Sequence, residues 1–178
     1  MKKVFFFAPL MFISILLLLI GIALLKQDNI FQKNIVKSVL IKKPFPKEEI
    51  ISLNKSDLIN LQDNIGTPFL LNFFSSWCEP CKYEAEYLEV LSNKIMIIGV
   101  AYKDKETDVY GFLNNFGNPY KIIGADANGE TAINWGVYGV PETFLIDKDG
   151  IIILRHAGPI TKEVMFNEIL PKLEEINL

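Results

Sequence analysis

An apolar run, Leu70-Leu71-Asn72-Phe73-Phe74, ends at Ser75-Ser76-Trp77 and passes at once into Cys78-Glu79-Pro80-Cys81-Lys82 and a helix-forming segment, Tyr83 to Leu91. The run scarcely alternates, so it reads as a strand buried on both faces. A strand that hands a Cys-x-x-Cys pair to the start of a helix marks a redox centre, not half of a metal site. Whatever the rest of the chain does, it must bury that strand and present that dithiol.

Composition narrows the chemistry. Cys78 and Cys81 are the only two cysteines, so any disulfide within the chain is the short, reversible one between them. Together with His156, the single histidine, they cannot supply four zinc ligands from one chain; a metal shared between two chains is the alternative. Covalent haem attachment needs Cys-x-x-Cys-His, and Lys82 stands in the histidine's place. His156 falls in a predicted hairpin strand and reads as structural or surface. The expectation is a protein with no bound cofactor and no metal. A net charge of -3 gives no reason to expect nucleic acid as a partner.

The N-terminus sets the compartment. Val4 to Leu25 carries no charge and is bounded by Lys2-Lys3 and Lys26. A helix of that length reaches about 33 Å, enough to cross a hydrocarbon core of roughly 30 Å. Pro9 is tolerated in such a helix. A cleaved signal peptide is the rival reading; its apolar region is usually shorter and ends at small residues, whereas here Gly21-Ile22-Ala23 runs on into Leu24-Leu25. The division is a membrane anchor at 1–25, a juxtamembrane linker at 26–43 and one domain at 44–178. Lys2 and Lys3 favour a cytoplasmic N-terminus, which places the domain across the membrane, where dithiols are normally oxidised and a reduced one needs an electron supply.

Within the domain, Pro44-Phe45-Pro46 stops what precedes it, and Ile50–Leu53 reads as an edge strand. Asn54 or Ser56 is placed to cap a brief helix through Leu61, and Gly66-Thr67-Pro68 turns the chain into the strand Phe69–Phe74. The following helix shows an apolar stripe at Cys81, Ala85, Leu88 and Leu91. Ile95–Ala101 is a second buried strand. A helix capped by Thr107 or Asp108 follows, burying Val109, Phe112, Leu113 and Phe116 and ending at Gly117-Asn118-Pro119. Ile122-Ile123 reads as a weak strand and Thr131–Trp135 as a single helical turn. Thr143–Ile146 and Ile151–Arg155, joined by Asp147-Lys148-Asp149-Gly150, form an antiparallel hairpin. Thr161 caps a last helix, which Pro171 is expected to interrupt. This order predicts an α/β domain: a mixed sheet with helices on both faces.

Only a thiolate attacks a disulfide. Cys78 sits where unpaired backbone N–H groups and the helix dipole favour negative charge. Pro80 suits the first turn because its missing N–H would have had no partner there. Cys81 lies one turn in, against the body of the domain. Cys78 is thus the expected nucleophile and Cys81 the resolving cysteine, with Trp77 an apolar shoulder that limits water. Glu79 and Glu84 raise a neighbouring thiol's pKa and Lys82 lowers it. Glu79 reads either as an exposed helix-start residue or as a tuner or partner contact.

The segment Asn72 to Cys81 resembles a thioredoxin-like active site. Gly136-Val137-Tyr138-Gly139-Val140-Pro141-Glu142-Thr143-Phe144-Leu145-Ile146-Asp147 is similar to the signature of the DsbE/CcmG family, membrane-anchored thiol–disulfide oxidoreductases of cytochrome c maturation. Val100 to Asp104, Gly117 to Tyr120 and His156-Ala157-Gly158 fit the same pattern, so the resemblance covers Pro44 to Leu173 and the anchor. It implies that Pro141 is the cis-proline facing the dithiol. Val140 is then free to pair its backbone with an extended substrate. Glu142 is either an acidic feature of the active face or simply a carboxylate at a strand start. Asn72 departs from ordinary thioredoxin, which has a buried aspartate at that position. An amide is no proton acceptor at neutral pH, so Glu84, Glu142 or water must serve Cys81.

The resemblance implies a single-pass protein of the bacterial inner membrane with its domain on the periplasmic side. Its partners would be apocytochrome c or cytochrome assembly proteins, a membrane thiol electron donor, and the bilayer through residues 4–25. The alternatives are a broad-specificity extracytoplasmic reductase, a non-catalytic apocytochrome-binding protein and a generic oxidase.

Overall fold

The structure is a computed structural model, and it describes residues 9, 11–22 and 40–176. Two compact units divide at residues 37 and 38. In the first, residues 11–22 form a helix, α1, whose apolar side chains are exposed. Among the described residues no helix is long and apolar enough to cross a membrane; the rest of the expected anchor lies outside them.

The second unit is built on a seven-stranded sheet: β1 (Glu49–Ser52), β2 (Leu58–Asn60), β3 (Phe69–Phe74), β4 (Met96–Tyr102), β5 (Ile122–Asp126), β6 (Glu142–Ile146) and β7 (Ile152–Ala157), in the order β2-β1-β5-β4-β3-β6-β7. β3, β4 and β5 are parallel to one another, and the other pairings are antiparallel. The helices are α2 (Glu79–Ser92), α3 (Glu106–Phe116), α4 (Glu130–Asn134), α5 (Lys162–Val164) and α6 (Leu170–Ile176). The expected mixed α/β sheet between helical layers is the observed architecture.

All six residues of β3 are buried. Successive side chains of a strand point to opposite faces. Leu70 and Phe74 therefore join one core with Leu88 and Leu91 of α2, Val109, Phe112 and Leu113 of α3, and Ile169 and Leu173. Phe69, Leu71 and Phe73 join the other, around Trp135, Phe144 and Phe45. Asn72 belongs to the first set by parity, which puts its amide beneath α2.

Four local expectations are corrected. The brief helix expected from Asn54 or Ser56 through Leu61 is absent: the chain turns into β2, which is followed by a 3-10 turn, Leu61–Asn64, capped by Asn60. The Asn54 carbonyl is occupied by Ser52 Oγ at 2.8 Å and Ser56 Oγ at 2.7 Å, closing a local turn instead of capping a helix. α3 starts earlier than Thr107, at Glu106, with Lys105 as its cap residue. β5 runs on to Asp126, since Gly124 lies against Ile50, whose Cγ2 would stand 2.5 Å from any added Cβ. The last helix continues through Pro171, because a π turn, Met165–Ile169, immediately precedes it and absorbs the missing donor. Pairing also reaches back before Pro44: Lys42 N–H donates to Ile152 O at 2.8 Å and Ile152 N–H to Lys43 O at 2.9 Å, covering the β7 edge.

Candidate active site

β3 ends at Phe74, and the next three residues are fastened to the end of β4. Ser75 Oγ donates to Tyr102 O at 2.6 Å, and the Ser76 N–H and hydroxyl donate to the Asp104 carboxylate at 2.5 and 3.0 Å. The Trp77 indole N–H donates to Lys103 O at 3.3 Å. This anchoring sets the height at which Cys78 enters α2. Trp77 is 59 % exposed and its ring lies 6.4 Å from that of Tyr102, so its recorded contacts run to the end of β4 and not to the sulfur.

Cys78 is the N-cap of α2, and its Sγ accepts the Cys81 N–H at 3.2 Å. The two cysteines form a disulfide, with their Cα atoms 5.3 Å apart. Pro80 lies in the first turn, as the spacing predicts. Across from the disulfide, the Val140–Pro141 bond is cis, and Val140 O lies 3.5 Å from Cys78 Sγ. The site is more closed than the sequence implies. Cys78 is only 3 % exposed and Cys81 1 %: Val140 O of the loop before β6 lies against the Cys78 sulfur, and both cysteines belong to the core that includes α2 and α3. Glu79 points outward and pairs with Lys82 at 2.5 Å, so the two opposing charges largely cancel at the surface.

The other carboxylates are not on the surface. Glu84, three residues after Cys81 and on the same side of α2, is fully buried. Its Oε1 accepts from Asn72 Nδ2 at 3.0 Å and its Oε2 from the Ile160 N–H at 3.0 Å. Burial pushes its pKa up to about 8, against the pull of those two hydrogen bonds. Asn72 also donates to Thr143 Oγ1 at 2.9 Å and accepts from the Tyr120 hydroxyl at 2.7 Å.

Glu142 is 1 % exposed and forms an ion pair with Arg155, so it does not offer its carboxylate to a substrate. Its Oε2 accepts the Tyr138 N–H at 3.2 Å, while Arg155 Nη2 donates to Gly136 O at 2.7 Å. The pair therefore holds the loop that carries Val140. Burial raises the Glu142 pKa, and Arg155 opposes that rise. Arg155, Asp104 and Tyr120 were not singled out as site residues from sequence. Only Arg155 leaves a signal there, as a cation inside a hairpin strand close to a carboxylate in its partner. His156 Nδ1 lies 3.4 Å from Glu168 Oε2 and Nε2 3.3 Å from Pro159 O, away from the sulfurs' recorded partners.

A Cys-x-x-Cys disulfide at a helix N-terminus, set beside a cis-proline on a mixed sheet, defines a thioredoxin-like thiol–disulfide oxidoreductase. Residues 42–171 match the Redoxin family model. The chain is 39 % identical to the thiol:disulfide interchange protein DsbE of Tatumella citrea, over 96 % of this chain and 94 % of that one. It is 41 % identical to that of Escherichia coli K12, over 79 % and 77 %. Among solved structures, a DsbE from Chlorobium tepidum superposes with a TM-score of 0.65 at 28 % identity, covering 76 % of this chain and 99 % of that one. The chain belongs to the redoxin family and, within it, to the DsbE thiol:disulfide interchange proteins.

Proposed function

We propose that this protein is a membrane-anchored reductase that acts on apocytochrome c, or on the proteins that handle it, during cytochrome c maturation. The single observation that carries the chemistry is Cys78 as N-cap of α2, its sulfur accepting the Cys81 N–H at 3.2 Å. In the dithiol form the same N–H and the helix terminus favour a thiolate at Cys78.

That thiolate attacks one sulfur of the substrate disulfide; a Cys78–substrate bond forms and one substrate thiolate leaves. The Cys81 thiol gives up its proton, and its sulfur attacks Cys78. The Cys78–Cys81 disulfide forms and the second substrate thiolate departs. Two electrons pass to the substrate, and a membrane thiol donor must return two to this domain. Glu84, buried one turn from Cys81, receives the proton when it is ionised, and its pKa of about 8 makes that form the minor one at neutral pH and the major one above it. The backbone of Val140, beside the disulfide, pairs with the extended substrate.

The cytochrome assignment rests on relatedness to DsbE proteins and on the signature from Gly136 to Asp147. The anchor and the periplasmic placement rest on the uncharged run Val4–Leu25 and its flanking lysines. The test is to express full-length Cys81→Ala in cells and identify the cysteines trapped on Cys78. Adducts dominated by haem-binding Cys-x-x-Cys motifs or cytochrome assembly proteins support the assignment. A scatter of unrelated exported proteins would replace it with a broad-specificity reductase, and capture without a covalent adduct would point to a binding protein.

A further inference from the structure

Asn72 is the one polar side chain in β3, and its amide has two possible orientations that differ only in which end faces Glu84. In the observed orientation every group is matched. Nδ2 donates to Glu84 Oε1 and to Thr143 Oγ1, while Oδ1 accepts from the Tyr120 hydroxyl at 2.7 Å. Turning the amide over would set its oxygen against the Glu84 carboxyl. The Tyr120 hydroxyl would then meet an N–H instead of an acceptor. No other acceptor for that hydroxyl is recorded among the described residues. A buried donor left without a partner is disfavoured.

Tyr120 is held in place by features of its own. Its ring stacks on Phe74 at 4.6 Å between centroids. It also lies over Gly99 of β4, the register partner of Asn72, where an added Cβ would stand 2.9 Å from Tyr120 Cδ1. Only the absence of a side chain at residue 99 lets the ring lie flat enough for its hydroxyl to reach Asn72. Burial, then the nearby Glu84 charge, raises the phenol pKa well above its ordinary value, so the hydroxyl keeps its proton and stays a donor.

We propose that Tyr120 is a positioning residue: seated in the gap left by Gly99, its hydroxyl fixes the Asn72 amide so that an N–H always faces Glu84. The groups facing Glu84 are Asn72 from β3, the Ile160 N–H from the segment before α5, and Tyr120; Cys81 lies one turn away on its own helix. Among the described residues no ion pair involves Glu84. The donated N–H bonds are therefore what lets so buried a carboxyl ionise at all. Removing the phenol hydroxyl frees the amide to turn and withdraws one of them. The consequence for the Cys81 step rests on the function proposed above; the effect on Glu84 itself does not.

The test is Tyr120→Phe in the full chain in detergent, with carboxyl-labelled glutamate followed by NMR in the disulfide form, where no thiol titrates. The Glu84 midpoint is expected to rise by about half a unit or more. The rate of interchange with a peptide disulfide should shift its pH profile in the same direction. A Glu84 midpoint that stays put or falls would overturn the proposal. A midpoint that rises while the pH profile does not move would retain the positioning role and instead remove Glu84 from the Cys81 step. A reading that needs no variant is exchange of the two Asn72 side-chain amide protons in the wild-type protein. Both should be protected from solvent exchange, and rapid exchange would contradict a fixed amide.

Discussion

Asn72 of β3 and Glu84 of α2 meet at 3.0 Å in the middle of the domain, with the Asn72 amide as donor and a fully buried carboxyl as acceptor. Ordinary thioredoxin keeps its carboxylate on the strand. Here the strand carries the amide, and the carboxyl comes from the helix that bears the two cysteines.

This carboxyl makes stability depend on pH in a definite direction. Its folded pKa, about 8, lies above the ordinary 4.5, so the folded state binds a proton the unfolded chain has lost. The resulting stabilisation is fully present below about pH 4.5 and disappears as pH rises through about 8. Glu84→Gln in the disulfide form should remove this part of the slope. Unfolding free energies from urea titrations at pH 5, 7 and 9 for both proteins check it. The difference between them should change by a few kcal/mol across that range. Parallel pH curves would contradict it.

The buried pair Glu142–Arg155 gives a second prediction. Arg155→Ala strands a carboxylate inside the protein and should cost about 3–5 kcal/mol near neutral pH. The penalty should shrink as Glu142 protonates in acid. Chemical denaturation at pH 7 and pH 4.5 measures both. A loss below about 1 kcal/mol would show that water already reaches the pair.

Gly99→Ala addresses the packing around Tyr120. The new methyl meets the phenol ring at 2.9 Å and Phe74 Cε1 at 3.0 Å, in a core with little room to yield. A destabilisation of about 1–3 kcal/mol is expected by thermal or urea unfolding, and a neutral outcome would show that the ring can slide.

Asp104→Ala removes the acceptor for both the N–H and the hydroxyl of Ser76, two residues before Cys78. It should cost about 1–3 kcal/mol and slow interchange with peptide disulfides. Asp104→Asn keeps an acceptor and should recover most of the loss. Equal damage from both substitutions, read by interchange rate, would mean that charge and not positioning matters at residue 104.

The elements legible in the sequence are those whose pattern has a single physical reading. Phe69–Phe74 is too apolar for any place but the centre of the sheet, and Asp147-Lys148-Asp149-Gly150 turns a hairpin because Asp147 Oδ1 accepts the Asp149 and Ile151 N–H groups while Gly150 takes φ +78. The stretch from Asn54 to Leu61 is ambiguous in the sequence because a helix cap and a local turn use the same side chains, and Asn54 closes the turn. Within the site, the order of cysteines and proline is visible, but the placing of the acids is not. Glu84 and Glu142 stand in the one-dimensional string as candidates to serve Cys81, but nothing there shows that either is buried. Their burial depends on partners far away in sequence: Asn72 and Ile160 for one, Arg155 for the other. Asn72 was the available clue, because a polar side chain inside a wholly apolar strand must find a partner.

That Cys78 is the attacking sulfur, activated at the start of α2, is tested most directly by timed alkylation of the reduced full-length protein with iodoacetamide across pH, each cysteine followed by mass. Cys78 should react first, with a midpoint below the ordinary thiol value of about 8.5, while Cys81 stays protected until the protein unfolds. Faster labelling of Cys81, or a Cys78 that reacts only in denaturant, would contradict the mechanism.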